Sequence, residues 1–221
     1  MIATFNDLIE YLREYHRALL PSPSLSDDII PSDLPRPLAA LYRELGGLVD
    51  LQSRDFEGHG APFATQDVLL PLGRLKRIDS MIEFAWENQG NWSCRCALRE
   101  EDPAVLCNWD DFTAGSTEYH PVCDSLSHFL TTLSLQEAVM SAPSLLEVEG
   151  KKAAQVLTPI LRPIWLNGKY VFDEARHNFY EIPGRDILVM EFSGVWVASH
   201  SNVPLTYLRA DAHFQHINSA A

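Results

Sequence analysis

Residues 178–200 read NFYEIPGRDILVMEFSGVWVASH, and this stretch indicates the class of fold. It divides into three short apolar runs, at 178–182, 187–192 and 195–200. Pro183-Gly184 and Ser193-Gly194 separate the runs, and such residue pairs are typical of turns. Short runs rich in aromatic and β-branched residues, divided by turns, predict consecutive antiparallel strands.

The sequence before this stretch extends the same pattern. Asn167-Gly168 stands between the apolar runs 163–166 and 169–172, and an Asn-Gly pair in this setting is a strong hairpin signal. We therefore expect a tight hairpin at Asn167-Gly168 and a β-meander over about residues 160–200.

Helical patterns occupy the first half of the chain. Apolar residues recur at helical spacing over residues 4–20, and Thr4 with Asp7 resembles a capping box at the start of that helix. A second helix is expected to begin around Pro35 and to end at Gly46-Gly47, which would supply a left-handed C-cap. A third helix follows a cap at Asp124 or Ser125, with these residues facing inward: Leu126, Phe129, Leu130, Leu133 and Val139.

Shorter elements are expected between the second and third helices. The sequence favours a short strand at Val49 to Gln52, an exposed loop at 54–66, a short helix at 79–87, a turn at 88–91, and strands at 92–98 and 105–109. The mixture predicts an α+β fold in which helices pack on one side of a largely antiparallel sheet, with the meander added at the C-terminal end. Because no flexible boundary interrupts the chain, we expect one domain over residues 1–221.

Charge is strongly unbalanced in this protein. The net charge is −13, and residues 1–140 contain 22 acidic but only 10 basic residues, whereas residues 141–221 contain 8 and 7. Such a field disfavours binding to nucleic acid or to anionic membranes and favours basic partners. An acidic excess also keeps an ordinary cytosolic protein soluble, so charge alone does not decide between these interpretations.

Residues 100–124 are the most distinctive segment. It contains seven acids and no Lys or Arg: Glu100, Glu101, Asp102, Asp110, Asp111, Glu118 and Asp124. Trp92 precedes the segment, and Trp109 and Tyr119 lie within it. One interpretation is a protein-binding surface, with Trp92 as an aromatic anchor and the acids steering a basic partner. The alternative is a solvated sheet edge whose charges prevent aggregation and whose aromatic residues face the core.

Metal-binding and catalytic patterns are weak in this sequence. Five side chains are the best metal candidates: Cys94, Cys96, Cys107, His120 and Cys123. Only His120 and Cys123 have the spacing of a zinc knuckle, so we expect free, buried thiols and no metal or other cofactor. Neither a nucleophile elbow nor a phosphate-binding loop is present in the sequence, and we expect no catalytic residue.

Four segments together resemble the SUKH superfamily of bacterial toxin-immunity proteins, also described as Smi/Knr-like. They are the Leu34-Pro35 to Gly46-Gly47 segment, Phe84 to Trp92 (FAWENQGNW), Asp102-Pro103 with Val105, and Ser125 to Leu130 (SLSHFL). They follow the family order over about residues 30–140, and beyond residue 145 no family motif is found.

This resemblance implies an α+β fold and a non-enzymatic immunity function. The partner would be a cognate bacterial toxin, often a nuclease. The sequence itself predicts a cytoplasmic location, because its apolar runs are far too short to span a bilayer and its N-terminal residues lack a basic-then-apolar signal pattern. An acidic inhibitor complements the basic active site that a nuclease needs for its polyanionic substrate. A general protein-interaction module on the same fold is the alternative, and a hydrolase is a more distant one.

Overall fold

The computed structural model describes residues 1–17, 25–51, 60–109, 118–148, 161–171, 176–184, 186–199, 205 and 214–216. Three α-helices lie in these parts of the chain: α1 (Phe5–Tyr15), α2 (Arg36–Val49) and α3 (Leu126–Met140). Within the described residues, none of the helices combines the length and apolar character needed to cross a membrane.

The strands form two antiparallel sheets. The first contains β1 (Asp67–Leu69), β2 (Lys76–Ile78), β3 (Met81–Glu87), β4 (Ser93–Ala97), β5 (Val105–Cys107) and β6 (His120–Cys123), in the order β1-β3-β4-β5-β6 with β2 also paired to β3. The second contains β7 (Ser144–Val148), β8 (Arg162–Gly168), β9 (His177–Glu181), β10 (Ile187–Glu191), β11 (Val195–Ser199) and β12 (Phe214–His216), in the order β12-β7-β11-β10-β9-β8. The predicted α+β class and the antiparallel meander over β9, β10 and β11 are confirmed.

Helix α1 begins as its sequence predicts. The Thr4 hydroxyl accepts a hydrogen bond from Asp7 N at 3.2 Å, and the Asp7 carboxylate accepts one from Thr4 N at 2.8 Å. This reciprocal pair satisfies amide groups that the first helical turn leaves without partners. Helix α1 ends at Tyr15. The sequence predicts a helix to residue 20, but residues 18–20 lie outside the described part of the chain.

Helix α2 does not stop at the two glycines. It continues through them to Val49, so the predicted C-cap at Gly46-Gly47 is wrong. The predicted strand at Val49 to Gln52 is wrong for Val49 to Leu51, and Gln52 lies outside the described residues. A Cβ atom on Gly46 would lie 2.5 Å from Leu25 Cδ1. The absence of a side chain at Gly46 therefore allows Leu25 to pack closely against the helix.

The predicted helix at 79–87 is strand β3. Asp79, with φ of +54°, turns the chain between β2 and β3. Strand β3 pairs with β1 and β2 along one edge and with β4 along the other, which makes it a central strand. Buried on both faces, such a strand lacks the alternation of apolar and polar residues that would identify it in the sequence.

The segment before β1 also differs from expectation. Residues 54–66 were expected to form an exposed loop, but Ala61, Phe63 and Ala64 are buried. Residues 52–59 lie outside the described part of the chain. In contrast, the predicted turn at 88–91 and the strands that follow it are confirmed, and Gly90 takes a φ of +81° in that turn.

The Asn167-Gly168 pair lies at the end of a strand and does not form a tight hairpin. Strand β8 runs through both residues, and Gly168 pairs with His177 of β9. A Cβ atom on Gly168 would lie 2.6 Å from Thr132 Oγ1 of α3 and 2.9 Å from Trp165 Nε1. The absence of a side chain at Gly168 therefore allows β8 to lie close to α3.

Helix α3 is buried around most of its circumference and contacts both sheets. Phe129 meets Phe84 of β3 and Tyr170 beyond β8, with ring centroids 5.8 and 5.0 Å apart. One hydrophobic cluster includes residues of all three helices and of both sheets, and a smaller cluster lies around Val189 and Val197. One domain over the whole chain stays a prediction.

Replacing Gly168 with alanine tests the contact between β8 and α3. Since the added methyl group would collide with Thr132, we expect Gly168→Ala to lower the free energy of unfolding by about 1–3 kcal/mol in urea denaturation. Gly73→Ala is the matched control, because a Cβ atom there meets no atom within 4 Å. Equal free energies of unfolding for Gly168→Ala and Gly73→Ala would contradict the close approach of β8 to α3.

Candidate functional site

The structure places five of the seven predicted acidic residues on the surface. Exposed residues are Glu100, Glu101, Asp102, Glu118 and Asp124, whereas Asp110 and Asp111 lie outside the described residues. Strands β5 and β6 pair with Val105 opposite Cys123 and Cys107 opposite His120. This register brings four acids to one end of the strand pair, and we call them the acidic rim: Glu100, Glu101, Asp102 and Asp124. Glu118 lies beyond the other end.

Three residues of the acidic rim also support the fold. Glu101 forms an ion pair with Arg36 at 3.0 Å, in the first turn of α2. Asp102 accepts hydrogen bonds from Ser127 N at 2.8 Å and Ser127 Oγ at 2.5 Å, and these hold the first turn of α3. Negative charge near helix N-termini is favourable, so both acids stabilise the helices that they contact.

Asp124 is the third of these residues. Its carboxylate lies 2.7 Å from Lys169 Nζ, and this ammonium lowers the pKa of Asp124. Glu100 remains as the rim acid to which no ion pair is assigned among the described residues.

Trp92 is not a surface anchor. Its exposed fraction is 3%, and its ring meets that of Tyr170 edge to face, with centroids 6.0 Å apart. Tyr119 is half-buried, and its ring lies 3.9 Å from the Arg95 guanidinium. Trp109 is also half-buried. The expectation that Trp92 contacts a partner from the rim is therefore wrong.

The four cysteines are free and buried, as predicted. Cys94 and Cys96 of β4 face the core, and Cys94 pairs with Cys107 of β5. Burial raises the pKa of the Cys94, Cys96 and Cys123 thiols. In the described ranges, no group of three or more His, Cys, Asp or Glu side chains is arranged to hold a metal ion.

Thiol chemistry can test this burial. Because the thiolate is the reactive form and burial disfavours it, we expect the native protein to react slowly with an aromatic disulfide reagent. All four cysteines should react rapidly once the protein is unfolded in urea. Rapid reaction of Cys94 in the native protein, located by mass spectrometry, would contradict the buried placement.

A cavity of about 350 Å³, which the sequence does not predict, lies between the two sheets and α3. Residues of both sheets and of α3 line it, and five of them are aromatic: Trp92, Trp109, Tyr170, Phe192 and Trp196. Two carboxylates, Asp67 of β1 and Glu87 of β3, also line it. They are paired in the sheet register, which places them on the same face of the first sheet.

Asp67 belongs to a buried hydrogen-bond network. Its Oδ2 accepts hydrogen bonds from Tyr170 Oη at 2.7 Å and from Gln136 Nε2 at 2.6 Å. Gln136 Oε1 lies 2.9 Å from His177 Nε2, and since the amide oxygen can only accept, the histidine nitrogen donates. Burial lowers the pKa of His177 to about 4, so its ring is neutral at pH 7.

Glu137 holds the backbone that leads into β1. Its side chain is fully buried, and its carboxyl oxygens accept hydrogen bonds from Thr65 N and Asp67 N at 2.8 Å and from Gln66 N at 3.2 Å. Burial and then the neighbouring Asp67 raise the pKa of Glu137, while the three N–H donors oppose that rise. The hydrogen bond from Asp67 N to Glu137 fixes the backbone of Asp67, whose side chain lines the cavity.

Asp67 is electrostatically unfavourable in its ionised form. Burial raises its pKa to about 6 and the Glu87 charge adds to the rise, although the bonds from Tyr170 and Gln136 oppose it. Signals for this site were present in the sequence only as Gln136-Glu137, a polar pair within an apolar helix. Asp67, Glu87 and Tyr170 are too far apart in sequence for any spacing to connect them.

Comparison with models of protein families, with curated proteins and with solved structures gives no match to this chain.

The raised pKa predicts how stability depends on pH. Between pH 3.8, the ordinary pKa of the carboxyl, and about pH 6, folded Asp67 retains a proton that the unfolded chain has released. The free energy of unfolding therefore falls as the pH rises through this window. Asp67→Asn removes this loss of stability. We therefore expect the effect of Asp67→Asn on the free energy of unfolding to be more favourable at pH 7 than at pH 4, by about 2–3 kcal/mol.

Urea denaturation at both pH values measures this difference. Asp28→Asn serves as a control, because Asp28 is exposed. A change in stability for Asp67→Asn that is the same at pH 4 and pH 7 would show that burial does not raise this pKa.

Proposed function

We propose that this protein is a non-enzymatic immunity protein that binds and neutralises a cognate bacterial toxin in the cytoplasm. The toxin is expected to be basic and of the nuclease type. The observation that carries the proposal is the acidic rim, where four exposed carboxylates converge at one end of β5 and β6 in a protein of net charge −13. Clustered exposed charge accelerates association with a partner of opposite charge.

The segments that resemble the SUKH superfamily lie in the structural core. The Leu34 to Gly47 segment provides most of α2, and the Phe84 to Trp92 segment provides part of β3 and the turn that follows it. Buried residues in the four segments include Leu41, Tyr42, Phe84, Trp92, Val105 and Phe129. Their role as scaffold is consistent with a family in which toxin specificity lies in variable surfaces.

Charge reversal on the rim tests the proposal directly. We choose Glu100→Lys with Glu101→Lys, since the Glu101–Arg36 ion pair is highly exposed and such pairs contribute about 0–1 kcal/mol. Asp102 and Asp124 are retained because they contact Ser127 and Lys169. The probe is the protein encoded by the neighbouring gene, which the proposal expects to be the toxin, used in a catalytically inactive form.

With this probe, we expect the association rate at low salt to fall about tenfold or more, while the dissociation rate changes little. The difference in association rate between the variant and the wild type should shrink as salt rises. Salt screens the charges, and the Debye length is about 10 Å at 0.1 M. Surface plasmon resonance measures both rates.

A charge-matched control separates the rim from net charge. Glu10→Lys with Asp186→Lys changes the charge equally at exposed positions in α1 and before β10. Similar slowing by both double variants would assign the effect to total charge and remove the rim from the interface. Failure of the wild-type protein to protect cells that express the active toxin would overturn the immunity function itself.

A further inference from the structure

Among the described residues, the lining of the cavity beside α3 carries negative charge and no positive charge. Asp67 and Glu87 are 3% and 9% exposed, and no Lys, Arg or His is found among the residues that line the cavity in the described part of the chain. Buried carboxylates without a cation are costly, since ionised groups lose their hydration on burial. A cation bound in the cavity would therefore be stabilised by these carboxylates.

Each carboxylate has one oxygen that the protein fixes. Asp67 Oδ2 accepts from Tyr170 and Gln136, and Glu87 Oε2 accepts from Gln89 N at 2.9 Å, Asn91 N at 3.1 Å and Asn91 Nδ2 at 3.0 Å. Among the described residues, no donor is assigned to Asp67 Oδ1 or Glu87 Oε1. Two oriented carboxylates thus each retain an acceptor oxygen.

The remaining wall suits the body of an organic cation. Three tryptophans, Trp92, Trp109 and Trp196, line the cavity together with Tyr170 and Phe192. Aromatic π systems attract ammonium and guanidinium groups, and the attraction grows where the cation is desolvated. Met140 and Met190 add adaptable apolar contacts.

We propose that this cavity binds an organic cation, a guanidinium or alkylammonium group, between the aromatic wall and the carboxylates of Asp67 and Glu87. Its volume of about 350 Å³ falls within the range of small-ligand pockets, about 300–1,000 Å³. The group can belong to a basic side chain of a protein or to a free small amine, and both sources present the same chemistry. This site is separate from the acidic rim, so toxin binding and cation binding can each fail without the other.

Other ligand classes fit the lining less well. An anion would be repelled by the two carboxylates, and a neutral apolar ligand would leave both without a counter-charge. A hard metal ion needs several oxygen ligands, and no cluster of three such acidic side chains occurs in the described residues.

Isothermal titration with Nα-acetyl-arginine amide tests the proposal in the full-length protein. Nα-acetyl-citrulline amide is the matched probe, because it has almost the same shape and no charge. We expect the arginine probe to bind at least about tenfold more tightly, and tryptophan fluorescence should change in parallel. Equal affinity for the arginine and citrulline probes, or no binding of either the arginine probe or agmatine up to about 10 mM, would overturn the proposal.

Two variants assign binding to the cavity. Glu87→Gln and Asp67→Asn should each weaken arginine binding by about tenfold, while Asp28→Asn should leave it unchanged. Unchanged affinity in folded Glu87→Gln and Asp67→Asn proteins would place the cation elsewhere and overturn the assignment. The comparison of arginine with citrulline needs no variant, so it is decisive even if a substitution impairs folding.

Agmatine distinguishes the two sources of the cation. If both agmatine and the arginine amide bind, the cavity accepts a basic side chain together with the backbone to which it is attached. Binding of agmatine alone, with loss in Glu87→Gln, supports a free small cation.

Discussion

The structure depends on the way in which two polar side chains of α3, Gln136 and Glu137, are satisfied inside the core. A helix buried against two sheets has little room for polar side chains, yet Gln136 and Glu137 are 5% and 0% exposed. Glu137 binds the backbone amides that lead into β1, and Gln136 connects Asp67 to His177 of β9. Because a buried polar group without partners costs about 1–3 kcal/mol, these bonds restrict the sheets to one arrangement around the helix.

The same arrangement creates the cavity. Glu137 anchors the amide of Asp67, so that the Asp67 side chain lies beside Glu87 and under the hydroxyl of Tyr170. Burial of the Asp67 carboxylate disfavours its ionised form and raises its pKa, which reduces stability at neutral pH. Retaining a destabilising feature of this kind is common where a site must bind or react, since a functional group has to meet its ligand partly desolvated.

Local signals in the sequence predicted the elements whose causes are local. The capping box of α1, the Ser125 cap of α3 and the turns between β9, β10 and β11 depend on residues a few positions apart. The errors at β3, Gly46 and Gly168 share another cause, because their decisive contacts involve chain segments that are distant or have no local signature. Exposure of Glu100 followed from its polarity, but the burial of Trp92 and its proximity to Asp67 depend on how both sheets pack.

The two proposed sites, the acidic rim and the cavity, would select positive charge by different physical means. Exposed carboxylates act over a distance set by salt, and their influence fades as the Debye length shortens. The cavity carboxylates act at contact, in a medium of lower polarity, where screening by ions is weak and shape and desolvation set the affinity. A partner that used only the rim would lose most of its advantage at high salt. Salt dependence thus identifies which of the two sites a basic partner occupies, and a partner that used both would associate quickly and still dissociate slowly.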